Sequence, residues 1–353
     1  MIQSLNDSIL MTHSSDHPIP PPAHSIKVLI AAYSRLALWT APAWFTDRLR
    51  TDFPQLNITQ ITSGDRLSQE LSDATVLFGG SFGPEDLREA KQLRWIHSPA
   101  AAVHDLLFPE LVNSEIILTN TRDVHGVVVA EQVMAMMFAL ARRIPESVRF
   151  QLKRTWGQPI LAERHRIPQE LGEATLGLVG LGSIGRNVAS RASAIGMKII
   201  AVREHADRPK PEHVDEVLPT SQLNKLLSRS DYVVLSPPVT PATRGMIGRA
   251  QLAAMKKDGY LINVGRGPLV DEAALIETLR SRQIAGAALD VFDQEPLPPE
   301  SPLWDLENLL ITPHTGGMTG KMWERHYALF ADNLRRFLSG RRLLAVVDKH
   351  AGY

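Results

Sequence analysis

The sequence predicts an α/β chain of two domains, each built on a parallel sheet. Three observations lead there. Short apolar runs alternate with helix-length segments along nearly the whole chain, the signature of repeated strand–helix–strand units. One such run, Leu176-Gly177-Leu178-Val179, leads directly into Gly180-x-Gly182-x-x-Gly185 and a helix-like stretch from Arg186. Finally, 353 residues exceed what one hydrophobic core usually serves, since single cores seldom grow past roughly 250–300 residues.

In the first half, strands are expected at 27–32, 57–62, 75–79, 94–97 and 115–118, with helices at 43–51 and 84–91. The segment Gly79-Gly80-Ser81-Phe82-Gly83 reads as a loop that shapes a pocket, not as a phosphate cradle, because no fingerprint accompanies it. Residues 120–126 then lead into the most apolar stretch, 127–141. It carries Glu131 and Gln132 and falls short of the ~18–20 residues that span a bilayer, so a buried helix is expected. Beyond the glycines, strands are expected at 198–202, 232–236, 260–264, 285–291 and 309–312, and helices at 221–228, 249–255 and 272–280. A second crossing between the halves should fall near 316–319. Residues 1–25 lack a basic start and a continuous apolar core and contain Pro18, Pro20, Pro21 and Pro22, so they read as a disordered leader, not a signal peptide.

Composition narrows the function. Lys+Arg and Asp+Glu each total 38, so no global field draws the chain to nucleic acid or an anionic membrane. The absence of cysteine excludes a disulfide scaffold, a thiolate zinc site and a cysteine nucleophile, and is compatible with a reducing cytoplasm. No metal site is expected.

The glycines fit a dinucleotide fingerprint: Gly180 for the tight turn, Gly182 for close approach of backbone N–H groups to a pyrophosphate, and Gly185 for close helix–strand packing. Three later segments fit one further chemistry: Asn263-Val264-Gly265-Arg266-Gly267, Asp290-Val291-Phe292-Asp293-Gln294-Glu295-Pro296 and Thr312-Pro313-His314-Thr315-Gly316-Gly317. Each follows an apolar run, and open α/β sheets gather their ligands at strand ends. Arg266 offers a fork for a carboxylate and its neighbouring carbonyl, and His314 a proton donor suited to neutral pH. A carboxylate beside such a ring orients it and favours imidazolium. The strand at 198–202 ends at Arg203, where NAD-selective folds carry an acid. Arg203, with Arg208 behind it, favours NADP(H); the alternative has Glu204 take the ribose of NAD.

These motifs, in this order, resemble the D-isomer-specific 2-hydroxyacid dehydrogenase family over nearly everything from residue 26 to 353. The resemblance implies a Rossmann dinucleotide-binding domain at 122–317. It also implies a discontinuous, flavodoxin-like substrate domain made of 26–121 and 318–353, closed by a terminal helix at about 320–338. It further implies a reaction in which hydride passes between NAD(P)H and a small 2-keto acid, such as glyoxylate or hydroxypyruvate. Arg266 would bind and polarise the substrate, His314 would protonate the forming alkoxide, and Glu295 would hold His314. The backbone of Ala101, Ala102 and Val103 would receive the substrate carboxylate. Cofactor contacts would come from Gly180, Gly182, Ser183, Ile184 and Gly185, from Arg203, Pro238 and Thr240, and from Val264, Asp290, His314 and Gly316, with Asp290 on the nicotinamide carboxamide. The family usually has glycine where Ala102 stands and often aspartate where His104 stands, so the geometry of that loop departs from the pattern. His104 and His125 read as solvated loop histidines. Glu295 differs from the glutamine of formate dehydrogenases. Phosphite-type oxidation, or an NAD(H)-sensing role like that of the corepressors sharing this fold, stays open by motif. A homodimer through the nucleotide domain is implied.

Overall fold

The computed structural model describes residues 26–163 and 167–352; the leader expected at 1–25 lies outside the described residues. Two wholly parallel sheets organise the chain. The first joins β1 (Lys27–Ala31), β2 (Asn57–Gln60), β3 (Val76–Gly79), β4 (Trp95–His97) and β5 (Ile117–Thr119) in the order β2-β1-β3-β4-β5. This is the flavodoxin-like order. Central strands such as β1, Lys-Val-Leu-Ile-Ala, are buried throughout, as a sheet covered on both faces requires.

The second sheet joins β6 (Thr175–Val179), β7 (Lys198–Val202), β8 (Glu216–Leu218), β9 (Tyr232–Leu235), β10 (Tyr260–Asn263), β11 (Gly286–Leu289) and β12 (Leu309–Ile311). Its order is β12-β11-β10-β9-β6-β7-β8, a Rossmann arrangement extended by one strand. The observed strands mostly end a residue or two inside the expected runs, where ladder pairing stops. Elements that were not expected include the short helices Leu67–Leu71 and Pro109–Val112, the edge strand β8, and the helices Ile144–Leu152 and Gln158–Leu161. The last two helices carry proline in their first turn, where its missing N–H costs nothing.

The helix Gly126–Ala141 packs with the fingerprint helix Ser183–Ala194 in the core of the second sheet. The terminal helix Met322–Leu338 returns to the first sheet. Its Trp323, Phe330, Leu334 and Phe337 share a core with Val28, Phe45, Phe78 and Trp95, and the Phe330 ring lies 4.8 Å from Phe78 and 5.2 Å from Trp95. No helix among the described residues is long and apolar enough to cross a membrane.

Two histidines lie inside this core. His97 closes β4 with Nδ1 2.7 Å from the Thr119 hydroxyl, which also accepts the Trp95 indole N–H at 2.7 Å. His326 faces inward from the terminal helix and is 1% exposed. Burial, reinforced by the nearby imidazole of His326 for His97 and of His125 for His326, lowers each ring to about 3. In the unfolded chain both would titrate near 6.5. Below that value the unfolded chain binds more protons, so stability is full above about 6.5 and falls as pH drops towards about 3. Urea unfolding at neutral pH and at about pH 5 should show this loss, and His326→Met should reduce it. Equal acid sensitivity in the variant would contradict the burial of a neutral ring.

Candidate active site

The connections diverge between β6 and β9, so a crevice opens beyond the carboxyl ends of those strands. Gly180 follows β6 with φ 99°, and a Cβ there would stand 3.1 Å from the backbone nitrogen of Pro237, just beyond β9. At Gly182 a Cβ would meet no heavy atom within 4 Å. The helix Ser183–Ala194 begins directly behind, and its first N–H groups, those of Ser183, Ile184 and Gly185, have no partner within the helix. This cradle fits a pyrophosphate. Val264 follows β10 beside it, its N–H bonded to the Leu235 carbonyl at 3.3 Å. Pro238 and Thr240 lie in a turn closed by Thr243, whose hydroxyl donates to the Pro238 carbonyl at 2.7 Å and accepts from the Thr240 N–H at 2.7 Å. Arg203 follows β7 and donates to the carbonyls of Arg208 and, at 3.1 Å, Pro209. Burial, with Arg208 and Arg186 nearby, pushes its guanidinium down, while Asp207 opposes. Glu204 is exposed.

Arg266, Asp290 and His314 follow three adjacent strands, β10, β11 and β12. Asn263 shapes the first of these turns. Its amide donates to the Arg266 carbonyl at 2.8 Å, and its oxygen accepts from the Gly265 N–H at 3.1 Å. Gly267 lets that turn lie on the next segment, since a Cβ there would fall 1.9 Å from the carbonyl carbon of Phe292. The Arg266 guanidinium donates to the Gly265 carbonyl at 2.7 Å. Burial pushes it down, and the Glu295 carboxylate opposes.

Glu295 uses both oxygens. One accepts the Phe292 N–H at 2.9 Å, and the other lies 2.5 Å from His314 Nδ1. The pair remains reachable, with side chains 33% and 46% exposed. The Asp290 carboxylate accepts the Thr312 hydroxyl at 2.5 Å and the N–H groups of Thr315 at 3.0 Å and Gly316 at 2.9 Å, so it ties down the loop carrying His314. These three bonds use two sites on one oxygen and one on the other, so the second oxygen keeps an acceptor site of the kind the resemblance assigned to a carboxamide. Thr312 and Asn263, which hold this geometry, open two of the segments read from the sequence, where no role was assigned to them.

In the first domain, the N–H groups of Ala101, Ala102 and Val103 donate to no protein acceptor among the described residues. Their loop is braced from behind: Asn120 donates to the Ala101 carbonyl at 2.7 Å and the Thr121 hydroxyl to that of Pro99 at 2.8 Å. His104 is exposed and lies 3.3 Å from Asp105. His125 is not solvated as expected. It packs 5.7 Å from the His326 ring and against Gly317, and burial pushes it down, with Arg325 and Arg266 adding to the effect. No group of three metal-ligating side chains occurs among the described residues.

Residues 134–316 match the family described as "D-isomer specific 2-hydroxyacid dehydrogenase, NAD binding domain". The chain belongs to this family. It is thereby an NAD(P)-dependent hydroxyacid oxidoreductase. The dehydrogenase is 34% identical to glyoxylate/hydroxypyruvate reductase B of Serratia proteamaculans over 85% of this chain and 92% of the relative. It is 34% identical to D-3-phosphoglycerate dehydrogenase of Methanocaldococcus jannaschii over 80% of this chain, and spans only 53% of that relative's length. Among solved structures it resembles a D-isomer specific 2-hydroxyacid dehydrogenase from Xanthobacter autotrophicus Py2, solved with NADPH and MES. Identity is 28% and the TM-score 0.79, covering 94% of this chain and 100% of that one.

The tight approach at Gly267 is directly testable. Gly267→Ala must separate the Arg266 turn from Phe292 and should destabilise the dehydrogenase by about 1–3 kcal/mol. A thermal melt unchanged from wild type would show that the two segments do not pack this closely.

Proposed function

We propose that this dehydrogenase reduces a small 2-keto acid to the D-2-hydroxy acid with NADPH. The observation that carries this reading is the 2.5 Å contact between His314 Nδ1 and Glu295, with the Arg266 guanidinium close enough to feel the same carboxylate. When bound, the dinucleotide supplies a hydride. Everything else falls to the chain. The free N–H groups of Ala101, Ala102 and Val103 receive the substrate carboxylate, while Arg266 holds that carboxylate and draws electron density onto the keto oxygen. Glu295 holds the ring through Nδ1, leaving Nε2 of His314 to give its proton to the forming alkoxide. The pyrophosphate would lie on the Gly180–Gly185 cradle, with Pro238, Thr240, Val264 and Gly316 around the rest of the cofactor. Asp290 would fix the loop of His314 and take the nicotinamide carboxamide on its remaining acceptor site.

The preference for NADPH rests on Arg203. It stands at the end of β7 with Arg186 and Arg208 near, a cationic corner that a 2′-phosphate would neutralise. The similar Xanthobacter structure contains NADPH. We further assign residues 26–121 and 318–353 to substrate binding and 122–317 to dinucleotide binding. The chain would act as a homodimer in the cytoplasm. Its contact would use the apolar face around Leu152 and Trp156, which are 79% and 81% exposed beside a cavity of ≈ 780 Å³ lined by Phe150, Leu161 and Ile167.

The first assay is oxidation of NADPH and of NADH with glyoxylate and hydroxypyruvate. Faster turnover with NADPH is expected, and Arg203→Ala should shrink that preference by about tenfold or more. Equal rates with both cofactors would overturn the assignment of Arg203. His314→Ala should lower kcat by about 10²–10⁴ with cofactor affinity retained. Unchanged turnover in that variant would remove His314 as the acid.

A further inference from the structure

Gln132 lies on the helix Gly126–Ala141, far in sequence from the three strand-end segments. Its side-chain amide donates to the Thr312 hydroxyl at 3.2 Å. That hydroxyl's single proton goes to Asp290 at 2.5 Å, and the same carboxylate accepts the N–H groups of Thr315 and Gly316 at 3.0 Å and 2.9 Å. Donor and acceptor roles are therefore fixed along the whole chain of bonds, since an amide N–H can only donate and a carboxylate can only accept. The aliphatic stem of Gln132 also presses on the loop, with its Cγ 3.4 Å from where a Cβ at Gly316 would stand. Between Thr312 and Thr315 stands His314 with φ 53°, a left-handed conformation that a non-glycine residue keeps only where its surroundings impose it.

We propose that Gln132 is a positioning residue for the reaction, coupling the placement of the helix that follows the first crossing between the sheets to the aim of the His314 ring. Thr312 and Asp290 transmit the coupling. The inference rests on the proposed role of His314 as proton donor. The helix enters from the crossing at residues 120–126, so any tilt of one sheet against the other pulls on the Gln132 amide and through it on the histidine loop. Closure of the cleft and alignment of the acid thus become one event.

Gln132→Met keeps the length and apolar stem and removes the donor. It should lower kcat about tenfold, leave the KM for NADPH unchanged, and move the pH–rate limb that His314→Ala abolishes. Gln132→Glu should be worse, because its carboxylate competes with Asp290 for the single Thr312 proton. Thr312→Val should match Gln132→Met, and the double variant should be no slower than the slower single one, since both break the same chain of bonds. Wild-type kcat and pH profile in Gln132→Met, or fully additive losses in the double variant, would overturn the coupling. If Gln132→Met does not fold, Gln132→Leu serves the same comparison, with a thermal melt as the check. Should the wild type turn over no 2-keto acid, the proposed reaction fails, and the coupling is judged separately by NMR of the His314 ring. Gln132→Met should shift its resonances, and an unmoved ring would refute it.

Discussion

The site depends on one buried carboxylate. Asp290 is 3% exposed, and a charge held away from water without partners costs several kcal/mol. Its donors all come from the stretch just beyond β12: the Thr312 hydroxyl and two backbone N–H groups. The stretch supplies donors to both oxygens, and His314 stands between Thr312 and Thr315 within it. The histidine's left-handed backbone thus lies within the stretch that satisfies this buried charge.

Sheet register does the rest. β11 and β12 pair with Leu289 opposite Ile311, so the next residues along, Asp290 and Thr312, emerge side by side. β10 and β11 pair with Asn263 opposite Leu289, so the Arg266 turn leaves the sheet beside the segment that ends in Glu295. Three stretches separated by tens of residues meet because parallel strands deliver their carboxyl ends to one edge. A slip of one residue in either pairing would turn Asp290 to the other face of the sheet and separate it from its donors.

Much of this was readable from residue order. Apolar runs bounded by polar turns mark strands wherever both faces are covered, and glycines at fixed spacing mark a turn that only glycine can make. His314 and Glu295 could be paired because their segments resemble a known family. The short edge strand β8 was hidden, because an edge strand with one half-buried face lacks the continuous apolar run of a central one. The helices Ile144–Leu152 and Gln158–Leu161 were hidden because their apolar side chains are left partly exposed, so no buried stripe sets their period. His125 was misread as solvated because local composition says nothing of His326, which arrives some two hundred residues later to cover it. Gln132 was legible only as a polar residue in an apolar helix; its partner is a strand end on the far side of the sequence.

The terminal helix covers a sheet whose strands are the earliest described elements of the chain, and this sets an order of assembly. As the polypeptide leaves the ribosome, β1 to β5 emerge before the second sheet but lack Phe330, Trp323 and Phe337, which complete their core. The second sheet contains its own covering helices and can close while the first still exposes Phe45, Phe78 and Trp95. Of the two sheets, the one whose strands are made first is thus the last to be finished. During that interval the aromatic face of the first sheet is the surface of this enzyme most in need of protection from aggregation.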